Sequence, residues 1–101
     1  MEGKWVFDKD LDLVASEISK FECSESDLVI KPLRVQSNSI LFGCYIPTIP
    51  RPTSIISGKI LVKRLVDNQT ELRAIDFQDW AVPFIEELIN FLSVKLYNSL
   101  Y

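Results

Sequence analysis

Carboxylates are the first side chains whose types and spacing suggest chemistry. Asp8, Asp10 and Asp12 form a D-x-D-x-D pattern near the start of the chain. An EF-hand calcium loop opens in this way, but it also needs Gly at its sixth position and Glu at its twelfth. Those positions hold Leu13 and Ser19. We therefore interpret the three aspartates as acids at the start of a helix, where they suit the positive end of the helix dipole.

The other reactive groups do not form a catalytic pattern. The chain contains no histidine, which excludes Ser-His-Asp and Cys-His catalysis. Ser57-Gly58-Lys59 lacks the glycine-rich lead of a phosphate-binding loop and precedes a strand pattern instead of a helix. Cys23 and Cys44 are too few for a zinc site, and we expect buried thiols in preference to a disulfide. We predict a protein that is not an enzyme and has neither metal nor cofactor.

Length and composition indicate an ordinary globular chain. Its 101 residues suit a single domain over 1–101, with 48% apolar and 25% charged residues. The N-terminus lacks the apolar core of a secretion signal. Residues 80–101 are the most apolar region, but charged and amide side chains interrupt them, whereas a membrane span needs about 20 mostly apolar residues. We expect a cytoplasmic protein without a membrane partner.

Hydrophobic periodicity predicts a helix within residues 8–21. One face of that helix would carry Leu11, Val14, Ala15, Ile18 and Phe21. Asp8 or Asp10 would act as its N-cap. Residues 4–7 are either a short strand or an apolar lead-in that packs on the helix, and the sequence leaves both interpretations open.

Four strands follow, and a helix ends the chain. The strand patterns cover 27–36, 39–46, 55–66 and 71–77, with a polar loop at 67–70, and the helix pattern covers 79–100. Pro32 indicates an edge strand or a bulge, and Gly58 a bulge or a strand start. The predicted fold class is α+β with two layers: an N-terminal helix, a four-stranded antiparallel meander sheet, and a long C-terminal helix packed on the sheet.

The terminal helix has more apolar surface than one sheet can cover. One apolar stripe along the helix consists of Ile85, Leu88, Ile89, Leu92, Leu96 and Leu100. Further apolar residues, Phe84 among them, lie outside this stripe. Either the helix is wedged between the sheet and the first helix, or its second face binds another chain. In the second case we expect an interface at Phe91, Val94, Tyr97 and Tyr101, in a homodimer or a hetero-complex.

Charge is segregated along the chain although the net charge is only −3. Residues 31–73 carry seven bases and two acids, whereas the flanking segments are acidic. We favour the interpretation that these cations keep an exposed sheet soluble and prevent edge pairing. The alternative is a basic sheet face that includes Arg34, Lys59, Lys63 and Arg73 and docks an acidic protein surface or nucleic acid. Nucleic acid is a weaker candidate, because the pI is about 4.8 and no aromatic stacking motif is present.

A proline-rich connector, IPTIPRPT, covers residues 46–53. We interpret it as a strand-to-strand connection and not as a polyproline ligand, because it lies inside a compact domain. A stiff loop costs little entropy to dock, so we expect Ile49 and Arg51 to contact a partner.

The sequence thus favours a non-catalytic interaction protein that acts by stoichiometric binding, as an adaptor, assembly factor, chaperone or inhibitor. A nucleic-acid-associated module that uses the basic sheet is the first alternative. A small-molecule-binding or catalytic domain is the second, and it requires a pocket of roughly 300 Å³ or more with converging polar groups.

Overall fold

A computed structural model describes residues 3–21, 29–47, 54–66 and 68–97 of the chain. Two helices and a five-stranded sheet account for most of them. In chain order the elements are β1 (Gly3–Phe7), α1 (Leu11–Lys20), β2 (Val29–Val35), β3 (Ser39–Pro47), β4 (Ser54–Val66), β5 (Gln69–Ile75), a 3₁₀ turn (Asp79–Ala81) and α2 (Val82–Tyr97). The predicted α+β class is therefore confirmed. Within these residues no helix has the length and apolar character that crossing a membrane requires.

The sheet is antiparallel throughout and has the order β1-β5-β4-β3-β2. The prediction of four strands is wrong by one, because residues 3–7 form a fifth. β1 pairs with β5 from Gly3 opposite Ala74 to Phe7 opposite Thr70. A strand of five residues whose partner is more than sixty residues away gives no local signal beyond a short apolar run, so its pairing decides its structure.

Proline and glycine lie where the sheet departs from regularity. Pro32 is on β2, an edge strand, and the pairing register shifts directly after it. Gly58 adjoins the register shift between β3 and β4. Both predictions are confirmed. The turn into β5 is tighter than predicted, because Asn68 adopts the left-handed conformation (φ 62°) and β5 already begins at Gln69.

The helices cover one face of the sheet and share its core. Asp10 caps α1, because its side chain accepts a hydrogen bond from the Asp12 amide at 3.2 Å. The whole predicted apolar face of α1 is buried, together with Ile85, Leu88, Leu92 and Leu96 of α2. These side chains form one cluster with alternate residues of β3, β4 and β5. The order of layers is therefore helices, core, sheet.

Phe21, at the end of α1, closes the core against the flank of α2. Its ring meets Phe84 at 5.5 Å and Phe91 at 5.2 Å between centroids, both edge to face. Phe84 also stacks on Phe77 and is buried. Phe21 thus covers part of the second apolar face of α2, while Val94, which is 53% exposed, faces outward.

Candidate functional site: the open sheet face

Register defines a second sheet face, on the side away from the helices. Residues opposite each other in an antiparallel pair point to the same side, and Lys63 lies opposite Glu71, as Leu61 does opposite Arg73. Leu33 belongs to this side because its side chain lies over Gly43. We call this side the open face. By register it includes Lys4, Val6, Val29, Lys31, Leu33, Arg34, Ser39, Leu41, Gly43, Tyr45, Lys59, Leu61, Lys63, Glu71, Arg73 and Ile75.

All four cations predicted for a basic face are brought together here. Arg34, Lys59, Lys63 and Arg73 come from three different strands, and the register aligns them on one side. Two further cations belong to the same face. These are Lys4, opposite Arg73, and Lys31, opposite Gly43. Strand alternation from Arg34 would place Lys31 on the other face, and only the register shift after Pro32 brings the two cations to one side. Lys4 depends on β1, whose pairing has no local signal.

The charges of the open face are unbalanced. Glu71 is the one acid that the pairing places on this face within the described residues, against six cations. It is only 8% exposed, lies opposite Lys63, and forms an ion pair with the Nε of Arg73. Lys4 and Arg73 stand directly opposite each other, and like charges in that position destabilise a sheet. The face therefore has a positive potential that an anion would relieve.

Apolar side chains lie between these cations. Val6 and Leu33 are 47% and 49% exposed, and Leu41, Leu61 and Ile75 are half-buried. On β1 and β5 this face carries no aromatic residue, since the Trp5 ring lies on the helix side, across Gly3, whereas the pairing places Tyr45, opposite Val29, on the open side of β3. The open face thus combines positive charge with exposed aliphatic surface.

A shallow recess marks the β1–β5 end of the sheet. It has a volume of about 310 Å³, is open to solvent and is lined by Gly3, Lys4, Arg73, Ala74 and Ile75. Two cations converge on it, so its chemistry suits a carboxylate. Its size meets the threshold set for a small-molecule site, but such sites are usually more enclosed and more apolar.

A second depression, the α2 groove, lies on the helix layer. Its volume is about 360 Å³, and its lining consists of Phe21, Glu87, Asn90, Phe91, Val94 and Lys95. Val94 is 53% exposed, and the Nζ of Lys95 stands 5.9 Å from the Phe91 ring centroid. Two of the predicted interface residues, Phe91 and Val94, therefore line one outward groove.

Tyr97, a third predicted interface residue, points elsewhere. Its hydroxyl accepts a hydrogen bond of 2.8 Å from the amide of Asp8, and its ring stacks on Phe7 with centroids 6.3 Å apart. The Nζ of Lys9 lies 5.6 Å from the same ring. Tyr97 therefore has partners within its own chain, at the junction of β1 and α1. The predicted contacts of Tyr101, Ile49 and Arg51 lie outside the described residues, as does Cys23.

Arg64 belongs to the basic segment of the sequence but not to the open face. It pairs with Thr70, on the helix side of the sheet. Its guanidinium donates a 3.0 Å hydrogen bond to the Oδ1 of Asn38 and lies 3.4 Å from Asp10. Arg64 thus links the start of α1 to the β2–β3 turn, which is a structural role.

The described residues contain little that suggests catalysis. Burial raises the pKa of the Cys44 thiol to about 12, so this free cysteine stays protonated and is a poor nucleophile. No group of three or more His, Cys, Asp and Glu side chains that could hold a metal occurs in the part of the chain that the structure describes. The features that remain are two surfaces, the open face and the α2 groove.

The fold and surface define a class: a two-layer α+β protein with one bare, basic sheet face. No protein-family model matches the chain, and no curated protein matches it. Among solved structures it is similar to the di-domain ARO/CYC StfQ from the steffimycin biosynthetic pathway. The match is 16% identical with a TM-score of 0.41, and it covers 91% of this chain and 42% of that one. A likeness this distant carries no conclusion about function.

Proposed function

We propose that the protein is a non-catalytic binding protein that holds an acidic protein partner on its open face. The observation that carries this proposal is the strand register, which gathers six cations on the one sheet face that the helices leave bare. Opposite charge steers association and selects partners. The aliphatic side chains between the cations supply the apolar contact that a lasting complex needs.

An acidic protein fits this surface better than a nucleic acid does. Single-stranded nucleic acids are held by aromatic side chains on which bases stack, beside a basic groove. Most of the described side chains of the open face are cationic or aliphatic, and Val6 and Leu33 are the most exposed of the aliphatic ones. Such a surface matches a partner with carboxylates around an apolar centre. We place this interaction in the cytoplasm.

The test is co-purification from the source cell with three forms of the full chain. The first is the wild type, and the second is a face variant, Lys59→Glu with Lys63→Glu. The third is a control variant, Lys9→Glu with Lys20→Glu, which changes net charge by the same amount away from the face. We expect a stoichiometric acidic partner with the wild type and the control and none with the face variant, with nuclease treatment having no effect.

Several results would contradict the proposal. Equal retention of the partner by the face variant would show that the open face is not the docking surface. Loss of the complex on nuclease treatment would favour the nucleic-acid alternative, for which the binding constant also falls steeply with salt. Recovery of no stoichiometric partner would remove the proposed function itself. Circular dichroism of each variant identifies any loss of binding that is caused by unfolding.

A further inference from the structure

The charges at the two ends of the α2 groove have opposite sign and equal spacing. Glu87 lies four residues before Phe91 on α2, and Lys95 lies four residues after it. At 1.5 Å of rise per residue, each charge stands about 6 Å along the helix axis from Phe91. Reversing the direction of the helix about Phe91 therefore exchanges the positions of the two charges.

We propose that this face binds the same face of a second copy, with the two α2 helices antiparallel and a two-fold axis at Phe91. Glu87 of each copy then faces Lys95 of the other, and the pair forms twice because two-fold contacts are repeated. A parallel arrangement would place Glu87 against Glu87 and Lys95 against Lys95. The order of charges thus selects the antiparallel dimer.

Apolar contact provides the attraction, and the charges set the direction. Val94 is 53% exposed. In the antiparallel dimer its height along the helix axis falls between those of Glu87 and Phe91 of the other copy. There it enters the opposing groove, whose volume of about 360 Å³ accommodates a valine side chain beside Phe21. Removing this surface from water favours association, while complementary charges fix the register.

The expected contact is small. The 16 residues of α2 span about 24 Å, and the contact of one such helix with another lies at the low end of protein interfaces, below about 1,200 Å² in total. We therefore expect a reversible dimer with a micromolar dissociation constant. Because α2 lies on the helix layer, the dimer leaves both open faces exposed, and it does not depend on the proposed function.

Sedimentation velocity of the full chain across the micromolar range tests the dimer. The wild type is expected to change from monomer to dimer as concentration rises. Glu87→Lys or Lys95→Glu alone should weaken the dimer roughly tenfold or more, because two attractive contacts become two repulsive ones. The double variant, Glu87→Lys with Lys95→Glu, should restore it, since the pairs are only reversed.

A mixture of the two single variants provides an internal control for folding. One variant carries lysine at both positions and the other carries glutamate, so the mixture should dimerise more tightly than either variant does alone. Circular dichroism confirms that each variant is folded. A wild type that remains monomeric throughout the range would overturn the proposal. So would a folded double variant that fails to dimerise, because only the antiparallel register predicts its recovery.

Discussion

Two glycines of the sheet differ in what stands over them. At Gly58 an added Cβ would lie 2.5 Å from the ring of Phe77, which is buried and stacks on Phe84. At Gly43 it would lie 2.9 Å from a methyl group of Leu33, whose half-exposed side chain can rotate away. The two positions therefore form a matched pair for testing close packing.

We expect Gly58→Ala to lower the free energy of unfolding by about 1–3 kcal/mol, because the Phe77 ring cannot move without disturbing the core. Gly43→Ala should change it by less than about 1 kcal/mol, because alanine suits a strand interior better than glycine and offsets the crowding. Urea denaturation of both variants measures the difference. Equal losses would mean that Phe77 is not held against Gly58 as the structure has it.

The buried thiol of Cys44 predicts a pH dependence. Its pKa is raised from 9.0 to about 12 by burial. Above pH 9 the unfolded chain releases this proton while the folded chain keeps it, so the contribution of the thiol to stability is present below pH 9 and lost towards pH 12. From pH 8 to pH 10 the stability of the wild type should fall by about 1 kcal/mol more than that of Cys44→Ala.

Urea denaturation of both proteins at the two pH values measures that difference. All other ionisable groups are common to both proteins, so the comparison removes their effect. Parallel losses in the two proteins would show that the thiol of Cys44 ionises as readily in the folded chain as in the unfolded one.

Single residues of the basic face were predictable in part. Strand alternation groups Lys59 and Lys63, and the charge segregation of the sequence points to Arg34 and Arg73. Arg64 stands next to Lys63 and follows the same composition, yet its side chain turns to Asp10 and Asn38. Composition along the chain therefore predicts that a basic surface exists, but only strand pairing decides which cations share it.

At the scale of elements, the last turn of α2 is fixed to the β1–α1 junction by Tyr97. The Asp8 amide donates to its hydroxyl, and the ring stacks on the buried Phe7. We expect Tyr97→Phe to lower the free energy of unfolding by about 0.5–1.5 kcal/mol through the lost hydrogen bond. Tyr97→Ser should cost more, since the ring contact with Phe7 is also lost.

Val94→Ala is the matched control for Tyr97, because both residues lie in the C-terminal half of α2 and Val94 faces outward. Its effect on unfolding should stay within about 0.5 kcal/mol. All three variants are compared by thermal denaturation at low protein concentration, where association does not contribute. If Tyr97→Ser is no more destabilising than Val94→Ala, Tyr97 does not fix the end of the helix. The prediction that Tyr97 belongs to an outward interface would then be favoured again.

Elements with strong periodicity were predictable from sequence alone. Apolar spacing located α1 and its buried face, the central strands and most of α2. For β1 the sequence left a short strand and an apolar lead-in both open, because its five residues become a strand only by pairing with β5. The position of Tyr97 was not predictable for the same reason. The partners of Tyr97 are Phe7 of β1 and the next residue, Asp8, which lie about ninety residues earlier in the chain.

At the scale of the whole molecule, the chain is acidic overall but strongly dipolar. Its net charge is −3, while the described residues of the open face comprise six cations and one acid. Within a Debye length, which is about 30 Å at 0.01 M salt and about 10 Å at 0.1 M, a surface responds to the nearest patch and not to the net charge. Orientation should therefore decide how the molecule meets another charged surface.

We expect the wild type to bind a cation-exchange resin at pH 7 and low salt, despite its sequence pI of about 4.8. It should elute as the salt concentration rises towards 0.1 M, because salt then screens the charges of the open face. The face variant, Lys59→Glu with Lys63→Glu, should flow through. The control variant, Lys9→Glu with Lys20→Glu, has the same net charge and should still be retained, because its substitutions lie outside the open face. Identical elution of the two variants would mean that net charge governs binding to the resin. The open face would then have no electrostatic property that favours docking of an acidic partner.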